Sequence, residues 1–97
     1  MKKTSLKILI IEDDKDDAFY IKDILKEGLS ESPPQIDHFS SLESNLKQIN
    51  PFSYDLALFD YRLGKTNGIE LVRNFRNLNC SIPIILFTGQ GDQEEAV

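Results

Sequence analysis

Ninety-seven residues with 40% hydrophobic content suffice for one small core and leave no room for a second domain. A net charge of −5 argues against a nucleic-acid-binding surface, because phosphate contacts need clustered Lys and Arg. No apolar stretch approaches the length of a membrane span, and with Cys80 as the only cysteine there is no internal disulfide, so a reducing cytoplasm is the default location.

Residues 6–11, Leu6-Lys7-Ile8-Leu9-Ile10-Ile11, form an aliphatic run that predicts a strand buried on both faces. Lys7 within it and Glu12-Asp13-Asp14 after it exclude a signal peptide. Residues 15–28 read as a helix, with Ala18, Ile21, Ile24, Leu25 and Leu29 near one face. Asp14 is placed to cap it, Asp16 and Asp17 favour its first turn, and Gly28 suits its C-terminal stop. After the turn Ser32-Pro33-Pro34, residues 35–39 are a short second strand. Ser40 or Ser41 can cap a second helix carrying Leu42, Leu46 and Ile49, ended by Asn50-Pro51. Residues 55–60 are a third strand and residues 61–68 a loop. A third helix covers 68–78, with Leu71, Val72, Phe75 and Leu78 inward. Cys80 precedes a fourth strand, 82–87, and reads as a loop or strand-opening residue. A loop from Thr88 to Asp92 follows, and a further helix begins at Gln93.

Strands alternating with helices imply an α/β fold, with a doubly wound parallel sheet, helices on both faces and right-handed crossovers. In such sheets ligands bind beyond the carboxyl ends of the strands. Glu12-Asp13 ends the first strand, Asp60 the third and Thr88 the fourth, so at least three carboxylates meet at one sheet edge. Like charges at that distance repel, and a hard divalent cation with oxygen ligands relieves the repulsion. With no His or Cys in the cluster, Mg²⁺ suits these ligands better than a transition metal. A carboxylate beside such a cation can act as a nucleophile towards phosphorus, which makes Asp60 the candidate acceptor.

Each residue also has a plainer reading. Asp60 alone could simply start a turn, Thr88 could be a turn residue before Gly89, and Asp14, Asp16 and Asp17 fit helix N-terminal charge. Convergence of Glu12, Asp13, Asp60 and Thr88 favours a site. His38, the only histidine, reads as an edge-strand residue away from the carboxylates. Several motifs fail on inspection. Gly64-Lys65-Thr66 resembles the end of a phosphate-binding loop, but Phe59 stands where the first Gly is needed. Residues 12–17 are acidic enough for a calcium loop, yet Ala18 occupies the turn-Gly position. No Ser-His-Asp or Cys-His set is available.

Three segments in order resemble the receiver domain of two-component response regulators. They are Lys7-Ile8-Leu9-Ile10-Ile11-Glu12-Asp13-Asp14, then Tyr54 to Leu63 with Gly68 eight residues after Asp60, then Ile82-Pro83-Ile84-Ile85-Leu86-Phe87-Thr88-Gly89. The resemblance spans the whole chain and implies a flavodoxin-like sheet of strand order 2-1-3-4. It implies that Asp60 is phosphorylated by a histidine kinase or a histidine phosphotransfer protein. It further implies that Glu12, Asp13, Asp60 and the Arg62 backbone carbonyl hold Mg²⁺, that Thr88 contacts the phosphoryl group, and that Arg62 and Gln90 tune its lifetime. The domain is expected to be a phosphoacceptor rather than a turnover enzyme.

One departure bears on activity. Members of the family continue to a fifth strand with a phosphoryl-pairing lysine at its end and to a fifth helix. Here 1–97 ends within the expected fourth helix, no lysine follows Lys65, and Leu63-Gly64 replaces the usual Leu-Pro. An incomplete phosphoryl clamp and an exposed fourth strand are therefore expected. The fourth strand could pair with a second copy, so a phosphorylation-independent homodimer or interaction module is the alternative function.

Overall fold

The computed structural model describes residues 5–40, 49–63 and 66–87. In chain order its elements begin with β1 (Lys7–Ile11), α1 (Lys15–Gly28) and β2 (Gln35–Phe39). A short 3-10 turn, Pro51–Ser53, leads into β3 (Leu56–Asp60). The pair β4 (Arg62–Leu63) and β5 (Thr66–Asn67) then forms an antiparallel hairpin, followed by α2 (Gly68–Asn77) and β6 (Ile84–Phe87).

The four long strands make one parallel sheet in the order β2-β1-β3-β6. This is the expected 2-1-3-4 order, with the fourth long strand numbered β6 because the hairpin intervenes. From β1 the chain crosses over to β2 on one side, and from β3 it crosses over to β6 on the other. Right-handed crossovers then set α1 and α2 on opposite faces.

The central position of β1 explains its composition. Ile8, Leu9, Ile10 and Ile11 are all fully buried, although successive residues point to opposite faces. Leu9 and Ile11 join Ala57 and Phe59 of β3, Leu71 and Phe75 of α2, and Cys80 in the main core. The Phe59 and Phe75 rings meet edge to face with centroids 5.2 Å apart. Ile8 and Ile10 face the other way, on the side that α1 covers with its one buried residue, Ala18. At the opposite end from the acidic residues, the Tyr54 hydroxyl donates to Asp37 Oδ2 at 2.7 Å and ties the approach to β3 onto β2.

Local signals account for the helix ends. Asp14 caps α1, accepting from the backbone N–H of Asp16 at 2.8 Å and of Asp17 at 3.0 Å. Asn67 caps α2 by accepting from the N–H of Glu70 at 3.0 Å. Asn79 takes the left-handed conformation after α2, with φ 65°.

The first helix runs over Lys15–Gly28 as expected and stops at Gly28, with Leu29 as its cap. Four expectations need correction. Ile24 is half exposed, because the apolar stripe of α1 is narrower than its spacing suggested. Leu78 is exposed because α2 has already ended at Asn77. Residues 61–68 are not all loop, since the hairpin occupies part of them. The long strands start later than expected, at Lys7, Leu56 and Ile84. The second helix, expected at 40–49, and the helix from Gln93 lie outside the described residues, apart from Ser40, which is not helical, and Ile49, which is buried.

Candidate functional site

The parallel register brings the acidic residues together. Ile11 of β1 pairs with Phe59 of β3, so the next residue on each strand, Glu12 and Asp60, lie beside each other at the carboxyl edge. Both are buried, Glu12 to 1% exposure and Asp60 to 6%, and they are the only buried charged side chains among the described residues. A buried carboxylate without compensation is costly, so a pair of them marks a place where something other than stability is selected.

The polar atoms are only partly compensated. Glu12 Oε2 accepts from the N–H of Asp14 at 3.0 Å, while Glu12 Oε1 is buried without a hydrogen-bond partner. Asp60 Oδ1 accepts from the N–H of Arg62 at 3.2 Å, which turns the chain sharply after β3. Burial pushes the Glu12 carboxyl up to about 7; the Asp14 N–H opposes this, and the adjacent Asp60 and then Asp17 add to it. Asp13 is exposed at the rim, its carboxyl raised by partial desolvation and lowered by the nearby His38.

Two backbone features hold the end of β3 in place. The Tyr61 N–H donates to Phe87 O at 2.7 Å, and the Gly68 N–H donates to Tyr61 O at 2.9 Å. Gly68 is required for closeness rather than for an unusual backbone angle. A Cβ there would stand 2.7 Å from the Asp60 carbonyl oxygen and 2.5 Å from Leu86 Cδ2.

Of the predicted site residues, Glu12 and Asp60 are adjacent, Asp13 sits at the rim and Arg62 follows Asp60 at the start of the hairpin. Thr88 and Gln90 lie outside the described residues. No three His, Cys, Asp or Glu side chains converge as a ready-made metal cage among the described residues. The donors present nevertheless fit a small hard cation. A buried, unpartnered carboxylate oxygen next to a second buried carboxylate gains from a divalent charge, and Mg²⁺ characteristically keeps several waters in place of protein ligands.

His38 lies on the edge strand β2, as expected. It is not remote from the acidic group, however, since its Nε2 lies 2.8 Å from the Glu12 carbonyl oxygen. The β1–β2 register, Ile10 opposite His38, is what delivers it there.

Known proteins agree with this architecture. The two-component response regulator PhoP of Pseudomonas aeruginosa is 27% identical over 92 residues, which cover 95% of this chain and 39% of PhoP. The transcriptional regulatory protein CusR of Escherichia coli is 33% identical over the same shares. This chain thus spans about two fifths of the length of those relatives. Among solved structures, the MaeR response regulator bound to beryllium trifluoride superposes with a TM-score of 0.72 at 25% identity, over 94% of this chain and 75% of that one. The CheY-like receiver domain from Methylobacillus flagellatus gives the same score and identity over 88% and 70%. The family model for the response regulator receiver domain matches residues 8–97, and with its sheet order and its strand-end carboxylates this chain belongs to that family.

Proposed function

We propose that this chain accepts a phosphoryl group on Asp60 within a two-component phosphorelay. The observation that carries the reading is the buried Glu12–Asp60 pair at adjacent strand ends, with one Glu12 oxygen unpartnered. The donor is a phosphohistidine of a histidine kinase or a histidine phosphotransfer protein. An Asp60 carboxylate oxygen bonds to phosphorus, the phosphorus–nitrogen bond breaks, and the electron pair returns to the imidazole. The product is an acyl phosphate on Asp60.

Glu12, Asp13, Asp60 and the Arg62 carbonyl would hold Mg²⁺, which when bound neutralises the charge of the phosphoryl oxygens. Asp60 itself is kept in place by the Arg62 N–H and by the close approach of α2 at Gly68. Thr88 would contact the transferred phosphoryl group. The chain acts as a phosphoacceptor and not as a turnover enzyme, and it works in the cytoplasm. No helix among the described residues is long and apolar enough to cross a membrane.

Intact-mass measurement after incubation with a small phosphodonor and Mg²⁺ tests the reading, with Asp60→Asn alongside. One phosphoryl group gained by the wild type alone is the expected result. Gain retained by Asp60→Asn, or no gain in a folded wild type, would overturn it.

A second reading is a phosphorylation-independent interaction module. Among the described residues β6 pairs only with β3, and its Ile85 and Leu86 are about half exposed, as suits a homodimer through that strand. It requires a dimer in sedimentation whether or not phosphodonor is present, and a strict monomer excludes it.

A further inference from the structure

Glu12 stands one residue beyond β1, where the strand ladder is ending. Its N–H still donates to Phe39 O on β2, at 3.1 Å. Its carbonyl is met by a side chain instead, His38 Nε2 at 2.8 Å. A carbonyl oxygen can only accept, so Nε2 carries the proton and donates. Both backbone polar groups of Glu12 are thus anchored to β2, and its Oε2 is anchored to Asp14. The His38 bond is the one that fixes the peptide plane between Glu12 and Asp13.

We propose that His38 is a positioning residue for the cation-binding edge of the sheet. By holding the Glu12 carbonyl, its ring N–H sets the directions in which the Glu12 and Asp13 carboxylates leave the chain. The inference rests on the reading above that these carboxylates hold Mg²⁺. His38 itself touches neither the cation nor the phosphoryl group. It acts as the outer partners of metal ligands do, by removing alternative orientations before the ion arrives.

The test is calorimetric titration of Mg²⁺ into the whole chain, comparing wild type, His38→Gln and His38→Asn. Both variants are polar and carry an amide donor. The glutamine amide nitrogen reaches about as far as Nε2, and the asparagine one stops short. Affinity close to wild type in His38→Gln, with a loss of about tenfold in His38→Asn, is the expected result. Thermal unfolding without Mg²⁺ is recorded for all three, so that a purely structural effect shows as a lowered melting temperature with Mg²⁺ affinity intact. Equal affinity in the two variants overturns the proposal. Failure of the wild type to bind Mg²⁺ overturns the underlying reading and the proposal with it, and is distinguishable because it needs no variant.

Discussion

Glu12→Gln separates what the buried carboxylate costs from what it does. Raising its carboxyl from 4.5 to about 7 costs the ionised form about 3 kcal/mol in the metal-free fold. The sign follows from the direction of the shift. A folded-state value above the unfolded one means that the native protein holds the proton more tightly. That contribution is complete below about 4.5 and disappears as pH rises through about 7. Metal-free wild type should therefore lose stability across this window, while Glu12→Gln, which cannot ionise, should not. The gap in favour of the variant opens from near zero at the acid end to as much as about 3 kcal/mol above neutrality. Saturating Mg²⁺ should reverse the order, because only the wild type gains full binding energy from the ion. Urea unfolding across that pH range, with chelator and then with Mg²⁺, measures both effects. A stability gap that does not change with pH would refute the buried-charge account. Stabilisation of both proteins by Mg²⁺ to the same extent would refute a metal role for Glu12.

Gly68→Ala should cost about 1–3 kcal/mol by denaturant midpoint, since its new Cβ meets the Asp60 backbone and Leu86. It should also slow the proposed phosphoryl uptake in the intact-mass assay, because relief of the clash has to move the strand that carries Asp60. Phe75→Ala empties the space against Phe59 and should cost about 3–5 kcal/mol in the same unfolding measurement, without selective loss of Mg²⁺ affinity. Asn67→Ala removes the cap of α2 and should cost about 1 kcal/mol, read as a lowered urea midpoint.

The parts of the fold that sequence makes legible are those fixed by local chemistry. The aliphatic run Ile8–Ile11, short and bounded by charge, suits a strand covered on both sides, and Asp14 before Lys15 is a cap wherever the helix packs. Adjacency of Glu12 and Asp60 follows from two strand ends in one parallel sheet, so that half of the site was legible too. What depends on register was not. His38 is one histidine in a five-residue strand, and nothing near it in sequence says that its ring reaches Glu12. The hairpin had a faint signal in Gly64-Lys65, a Gly-X pair between two short extended segments, and its brevity hid it. Leu78 and Ile24 were misjudged because periodicity locates a helix face but not where the helix stops or how wide a stripe its neighbours cover.

The same burial sets both the cost and the capacity of the site. A carboxylate in water at the position of Glu12 would ionise freely and hold a cation weakly, because solvent would satisfy it first. Placed at 1% exposure beside Asp60, it is poorly solvated and partly unpartnered, so a divalent ion has more to offer it. The energy that maintains this arrangement comes from elsewhere in the chain. It comes from a central strand with four fully buried aliphatic residues and from an aromatic contact on the far side of β3. The core secures the register, the register sets two carboxylates side by side, and their mutual repulsion is what the proposed cation would relieve. Substitutions that make this edge more stable without metal are for that reason expected to make it a poorer receiver.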